Sequence, residues 1–345
     1  MDLAVLSTGI VSAIGFNALT SCASIRAGIS GISETYLNEY TGSIEHLRGG
    51  KVALPQWWDR VDRLVDLVAP AIIEALNFID KKERKHVPLL IGTALPEMQF
   101  LGNVIEQQLL AKIEAKLGLP HHLESRVLPI GQTAGIQGLK IASMLLTKNI
   151  SACIIAGTDS YLQKETIKYY MAQRRLMTSD NSNGFFPGES GSAVLIGLSS
   201  YYPQALLHIL GIGESKELVT IYSEEIFRAN GMTKAIRNAV TKSGIKLSQI
   251  SCRFTDVNGE YYKFREGNIA IARFNNKNET VDMDIWHPIE FTGEIGAAIV
   301  PLLLGLALDA GQKGYNPGKY LLFHVGNDKE DRGALITRYG PSVDE

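Results

Sequence analysis

The stretch that most constrains this chain runs over residues 126–197. Within it, Gly131-Gln132-Thr133-Ala134-Gly135 reads as a glycine-flanked turn opening a helix. An apolar strand at 150–160, a second helix and a polar loop follow, and Phe186-Pro187-Gly188-Glu189-Ser190-Gly191 leads into another apolar strand. Apolar runs of strand length bounded by turn residues suit strands buried on both faces, and such strands need helices on either side. The glycines mark places where backbone must approach backbone closely.

The rest of the chain alternates in the same way. Residues 3–6 read as a short strand and 17–27 as a helix, with glycine-punctuated turns between them. Residues 33–58 are polar and irregular, ending in Trp57-Trp58, a packing anchor because buried indole supplies much apolar area. Val61, Leu64, Val65, Val68, Ile72, Ile73 and Leu76 recur at helical spacing, which predicts an amphipathic helix over 59–78. A strand over 87–93, a helix over 103–117 and a short strand over 126–130 complete the first half. The second half repeats the plan more weakly: a strand over 206–213, a mostly helical 220–243, a strand over 250–257, a polar hairpin-like segment, an apolar helix over 293–310, and strands 320–325 and 334–339 around a charged turn. This is an α/β pattern, with mixed sheets covered by helices.

Composition narrows the function classes. The chain has 345 residues, 45% hydrophobic and 20% charged, with a formal net charge of -2. That is ordinary for a globular protein and offers no electrostatic reason to expect nucleic acid or an anionic membrane as partner. Cys22, Cys153 and Cys252 follow no metal or disulfide spacing and read as reduced, buried thiols. The N-terminus lacks a basic region and a cleavage pattern, and the apolar run 302–308 is too short to span a bilayer, so a cytoplasmic protein is expected. His121-His122 on a Pro-His-His-Leu turn reads as surface loop, because adjacent histidines rarely converge on one ion. Residues 180–184 lack the carboxylate spacing of a calcium loop. Arg174-Arg175 reads as a solvated helix end. Neither a metal nor a cofactor is expected.

The order of elements and glycines over 126–197 closely resembles the nucleophile region of β-ketoacyl-ACP synthases, members of the thiolase fold. Ala27-Gly28-Ile29-Ser30-Gly31-Ile32 is similar to the AGxSGI that closes the first helix of that family, about a hundred residues upstream and in the correct order. The resemblance covers residues 1–32, 126–197 and 250–340, and implies a duplicated αβαβα fold with halves 1–205 and 206–345. It also implies a departure in chemistry. Where a ketosynthase has the nucleophilic cysteine of Cys-Ala-Ser-Gly, this chain has Gln132, a neutral amide that cannot form an acyl-enzyme. The histidine of the family's HGTGT turn falls on Asn258, which can donate a hydrogen bond but cannot cycle a proton near neutral pH. Aligning the GAA of KxxxGHxxGAAG on Gly296-Ala297-Ala298 puts the second histidine on Gly293 and the lysine on Pro288; a slip of a residue or two brings Phe291, Thr292 or Glu294 there instead. The GFGG gating turn falls near Phe323-His324-Val325-Gly326-Asn327, followed by extra charged residues.

Gln132, Asn258 and Gly293 therefore mark a degenerate site, and a catalytically inactive binding or accessory subunit is the expected function. Two classes of partner are open. Similarity to ketosynthase-like accessory proteins of type VI secretion clusters implies an adaptor or effector-loading role, which the shortness of the chain favours. Similarity to chain-length factors, which also carry Gln at this site, implies a heterodimer with an active ketosynthase and contact with an acyl carrier protein in fatty acid or polyketide synthesis. In either case the family's two-fold packing implies a homodimer or heterodimer, with 150–160 at the interface. An acyltransferase with chemistry foreign to the family, using Glu260, Glu290 or His287, is the remaining reading.

Overall fold

A computed structural model describes residues 2–35, 47–54, 60–99, 104–120, 122–148, 150–275 and 281–341. Trp57-Trp58 and His121 lie outside these residues.

Apolar alternation builds one ten-stranded mixed sheet. The first half of the chain supplies β1 (Leu3–Ser12), β4 (Leu89–Gly92), β5 (Arg126–Leu128), β6 (Cys153–Ser160) and β7 (Glu189–Leu198). The second half supplies β8 (Leu207–Lys216), β9 (Ile250–Thr255), β10 (Asp284–Trp286), β11 (Tyr320–Gly326) and β12 (Asp331–Tyr339). Strands β2 (Ile32–Glu34) and β3 (Arg48–Gly50) pair apart from the others. Read outward from the middle, one side runs β1-β7-β6-β4-β5 and the other β8-β12-β11-β9-β10. The two sides meet where β1 and β8 pair antiparallel, from Leu3 opposite Ile209 to Val5 opposite Leu207.

Helices cover both faces. Successive residues of β6 alternate between two cores: Cys153 and Ile155 face one, Ile154 and Ala156 the other. The second of these is closed by α2 (Arg60–Leu76) and α3 (Val104–Leu117). The first holds α4 (Ala134–Leu145) and α8 (Ile299–Gln312), flanked by α1 (Ala18–Arg26). Buried residues of β8, β9 and β11 face α4 and α8 from the other half, and α6 (Asn230–Ser243) and α7 (Tyr261–Ala272) cover the far side. The result is helix, one half of the sheet, helix, the other half of the sheet, helix, with α8 buried along nearly its whole length. Helix α5 (Lys164–Ala172) packs Ile167 and Tyr170 against Leu176 and Phe185 beside this stack. No helix among the described residues is long and apolar enough to cross a membrane.

Several elements differ from the sequence reading. Residues 220–229 are not helical, because Glu217 captures the Gly231 amide (2.7 Å) and Ala229 adopts a left-handed φ of 52°, so α6 starts only at Asn230. Phe227 meanwhile buries its ring against Tyr262. Helix α7 stands where a polar hairpin-like segment was expected. Its buried face carries Lys263, Glu266 and Gly267 beside Ala270 and Ile271, so hydrophobic periodicity does not reveal it. The apolar helix expected from residue 293 begins at Ile299, after a single 3-10 turn over Gly296–Ala298. Strand β1 also runs on to Ser12, well beyond residue 6.

Candidate functional site

Gln132 lies in the 3-10 turn Gly131–Thr133 that opens α4. The turn is held from two sides: the Gly131 amide donates to Thr93 O (2.9 Å), and Asn327 Nδ2 donates to Ile130 O (3.1 Å). Gln132 is buried, and its Nε2 donates to Tyr161 Oη (3.1 Å) and Glu294 Oε1 (3.4 Å). Asn258, just beyond β9, sends Nδ2 to Glu294 Oε2 (2.7 Å) and Glu260 Oε2 (3.3 Å). Both amides point nitrogen toward Glu294, whose two carboxyl oxygens accept. Glu294 therefore joins the two residues singled out by sequence, and both side-chain N–H groups of each amide are engaged.

Gly293 contributes conformation in place of chemistry. Its φ of 74° turns the chain so that the Glu294 amide donates to Phe186 O (2.8 Å) and Glu294 O accepts from the Gly188 amide (3.0 Å). A Cβ at Gly188 would lie 2.4 Å from Thr292 O, so the Pro187-Gly188 loop meets residues 292–294 backbone to backbone. Of the residues left open by the register at 288–294, Glu294 is the one whose side chain enters the site. His287 and Glu290 do not join it. They face each other at 3.9 Å, with the Glu290 side chain half exposed.

Around Glu294 lies a buried ionic cluster that sequence reasoning missed. Lys263 Nζ sits 2.7 Å from Asp256 Oδ2 and 3.9 Å from Glu294 Oε2. Arg175, read as a solvated helix end, is instead 6% exposed and grips both Glu260 (2.7 and 2.8 Å) and Asp328 (2.8 and 2.9 Å). Arg332 pairs with Glu266 at 2.7 Å. The correction has a physical reason: Arg174 takes a left-handed φ of 52°, which ends α5 and turns the next side chain inward. Nothing in the local pattern of Arg174-Arg175 announces this, because the partners come from Glu260, just before α7, and from the β11–β12 turn.

Six buried carboxyl groups, Asp159, Asp256, Glu260, Glu266, Glu294 and Asp328, face three cations, Arg175, Lys263 and Arg332. An excess of carboxyls in a low dielectric forces some to hold protons. Burial pushes Asp159 up to about 7, against the pull of the Ala297 and Ser160 amides that it accepts from. Burial also raises Glu294, with Lys263 opposing. Burial acts on Asp328 in the same sense, yet the Arg175 guanidinium holds it down to about 2.

The three thiols are not among these groups, whereas His324 lines the same enclosed space as Asp256, Lys263 and Glu266. Burial pushes Cys22, Cys153 and Cys252 up to about 12, so each stays a thiol at neutral pH. His324 on β11 is buried, and burial, then Arg253, lowers it to about 3. Its Nδ1 lies 3.4 Å from Thr255 Oγ1. Phe323 and Phe254 stack at 4.8 Å within the core, and residues 323–326, where the resemblance places the family's gating turn, belong to strand β11. Among the described residues no His, Cys, Asp and Glu group could hold a metal ion. The arrangement supplies amide donors, carboxylates and, in Asp159, a carboxyl that burial raises to about 7.

No protein-family model matches the sequence, and no curated protein matches it. Solved structures do. A complex described as AntDE:AntF, a type II PKS acyl-carrier protein with its ketosynthase bound to the hexaketide, matches with a TM-score of 0.80 and 13% identity over 98% of this chain and 99% of that one. The ketosynthase ApeO in complex with its chain length factor ApeC from Xenorhabdus doucetiae matches with a TM-score of 0.75 and 14% identity, covering 98% of each chain. A β-ketoacyl synthase from Burkholderia phymatum gives 0.73 and 12% over 98% and 99%. At such identities the likeness is one of fold: the chain has the thiolase-like fold of ketosynthases.

Proposed function

We propose, from the premise of a ketosynthase fold, that this chain is a catalytically silent accessory subunit that works by binding a ketosynthase-fold partner, in the manner of a chain-length factor. One observation carries the reading. Gln132, which stands at the nucleophile position by resemblance, has both amide N–H groups spent on Tyr161 and Glu294. The hydrogen-bonding capacity that would receive a thioester carbonyl is satisfied internally, and among the described residues neither Gln132 nor Asn258 is hydrogen-bonded to a thiol or an imidazole. Asn258 and Gly293 complete the degenerate set, with Glu294 bridging the two amides. The mirrored strand order supports two copies of one unit over 1–205 and 206–345. Neighbours that include ketosynthase and chain-length-factor complexes match over 98% of this chain, which supports a partner of the same fold.

The test has two readouts. Purified protein incubated with labelled acyl-CoA and acyl-ACP is expected to carry no covalent adduct, and a stoichiometric adduct overturns the proposal. Capture from the native host followed by mass spectrometry is expected to return a ketosynthase. Return of a secretion adaptor instead would move the assignment to the type VI secretion reading.

A further inference from the structure

A net charge of -2 gives no electrostatic reason to expect a polyanion as partner, but it averages over unlike parts of the chain. Residues 226–275 hold nine Lys or Arg against three Asp or Glu. The fold sorts these charges by side. Glu260 pairs with Arg175, Asp256 with Lys263 and Glu266 with Arg332, and all three carboxylates are buried, as a carboxylate in the interior requires a cation beside it. The cations left over point outward, and no carboxylate of this stretch is exposed.

Five exposed cations gather where α6 and α7 pack together. Lys234 and Arg237 stand three residues apart on the outer face of α6. Arg237 lies over the Phe274 ring (5.8 Å), just past the end of α7, and Arg273 Nη1 donates to Asn230 Oδ1 (2.8 Å) at the start of α6. Arg265 of α7 lies over the Phe227 ring (5.8 Å), beside the exposed Arg228. Lys242 and Lys246 carry positive charge on past the C-terminal end of α6. None of these seven forms an ion pair with a described residue; the exposed Glu224 and Glu225 border the stretch in sequence.

The chemistry of the face selects among polyanions. Of the large apolar and aromatic side chains of α6 and α7, Tyr261 alone is exposed. A protein interface needs an apolar centre and a bilayer needs apolar anchors, and this face offers neither. It offers guanidinium forks, which suit phosphate oxygens, together with the exposed amides and hydroxyl of Asn230, Asn268 and Thr241. Helix α6, with 14 residues, is about 21 Å long, a length along which a duplex presents about a dozen phosphates.

We propose that the outer face of α6 and α7 is a docking surface for the phosphodiester backbone of nucleic acid, which it holds by charge without reading sequence. The surface does not rest on the accessory-subunit reading. Fluorescence anisotropy of a labelled duplex DNA of about 24 base pairs is expected to give a Kd of about 1–100 µM in 50 mM NaCl, equal for two unrelated sequences. The affinity is expected to fall with log-log salt slope of about -3 to -4.5, as counterions leave up to five phosphates. Single-stranded RNA of the same length is titrated in parallel; binding of either polymer supports the surface, and the tighter one identifies its source. Lys234→Glu/Arg237→Glu/Arg265→Glu is expected to weaken binding at least tenfold and to flatten the slope. Lys81→Glu/Lys82→Glu/Lys85→Glu, an equal change of charge on the exposed turn before β4, is expected to weaken it less than threefold. Should the first variant fail to fold by circular dichroism, Lys234→Gln/Arg265→Gln is read in its place, with a loss of at least threefold expected. Absence of binding up to 200 µM protein in 50 mM NaCl, or an equal loss in the two triple variants, overturns the proposal. Polyglutamate competing as well as DNA at matched charge overturns it in favour of an acidic protein partner.

Discussion

At the scale of the residue, Gln132 shows how a helix-start position can be occupied without being reactive. A cysteine there would gain from the positive end of α4 but would lie against Glu294, and both burial and a neighbouring carboxylate favour the neutral thiol. Gln132→Cys is therefore expected to alkylate with iodoacetamide at pH 7 on the order of tenfold more slowly than free cysteine; a rate at or above free cysteine would show the environment to be activating. Asp159 sets a second expectation. Its folded value of about 7 lies above the ordinary 3.8, so between these the folded chain holds a proton that the unfolded chain has released. Its contribution to stability is complete below about pH 4 and is lost as pH rises to about 7. His324, lowered from 6.5 to about 3, acts in the opposite sense, contributing above pH 6.5 and losing that contribution on acidification. Comparing Asp159→Asn with wild type cancels the histidine. The variant's melting temperature relative to wild type is expected to climb between pH 5 and pH 8, and a flat difference would place no titrating proton on Asp159.

At the scale of the element, the helices that the sequence revealed are those whose buried faces are apolar. The spacing of Val61, Leu64, Val65, Val68 and Ile72 announces α2, and residues 59–78 were nearly right for Arg60–Leu76. Helix α7 was hidden because Lys263 and Glu266 occupy its buried face. The same cause hid the site, since a polar inner face reads like a solvated outer one until its partners are known. The seating of β6 against α8 depends on Gly157, where a Cβ would come within 2.0 Å of Ala297 O. Backbone on both sides leaves no flexible atom to yield. Gly157→Ala is expected to cost about 3 kcal/mol in urea unfolding, because overpacking a rigid contact forces the layers apart; a loss below about 0.5 kcal/mol would mean that the strand and the 296–298 turn are free to separate.

At the scale of the whole molecule, ten strands in mirrored order and three layers of helix join the two halves of the chain through an apolar core around α4 and α8 and, beside it, through a buried polar cluster. Arg175 belongs to the first half of the chain, while Glu260 and Asp328 belong to the second; Gln132 and Glu294 link the same two halves. Leaving any of these charges without its partner would strand it in a low dielectric, which ties the integrity of the site to the docking of the halves. The sequence by itself determined the α/β class, the order of most elements, the glycine-bearing turns and the amide side chains of Gln132 and Asn258 beside two of those turns. These are properties of neighbours along the chain, and periodicity and turn chemistry express them directly. Only the tertiary structure decided that Glu294 joins the two amides, that Arg175 is buried and that burial raises Asp159. Those facts rest on groups 85, 153 and 162 positions apart, and their energies depend on a dielectric that exists only once the layers have closed.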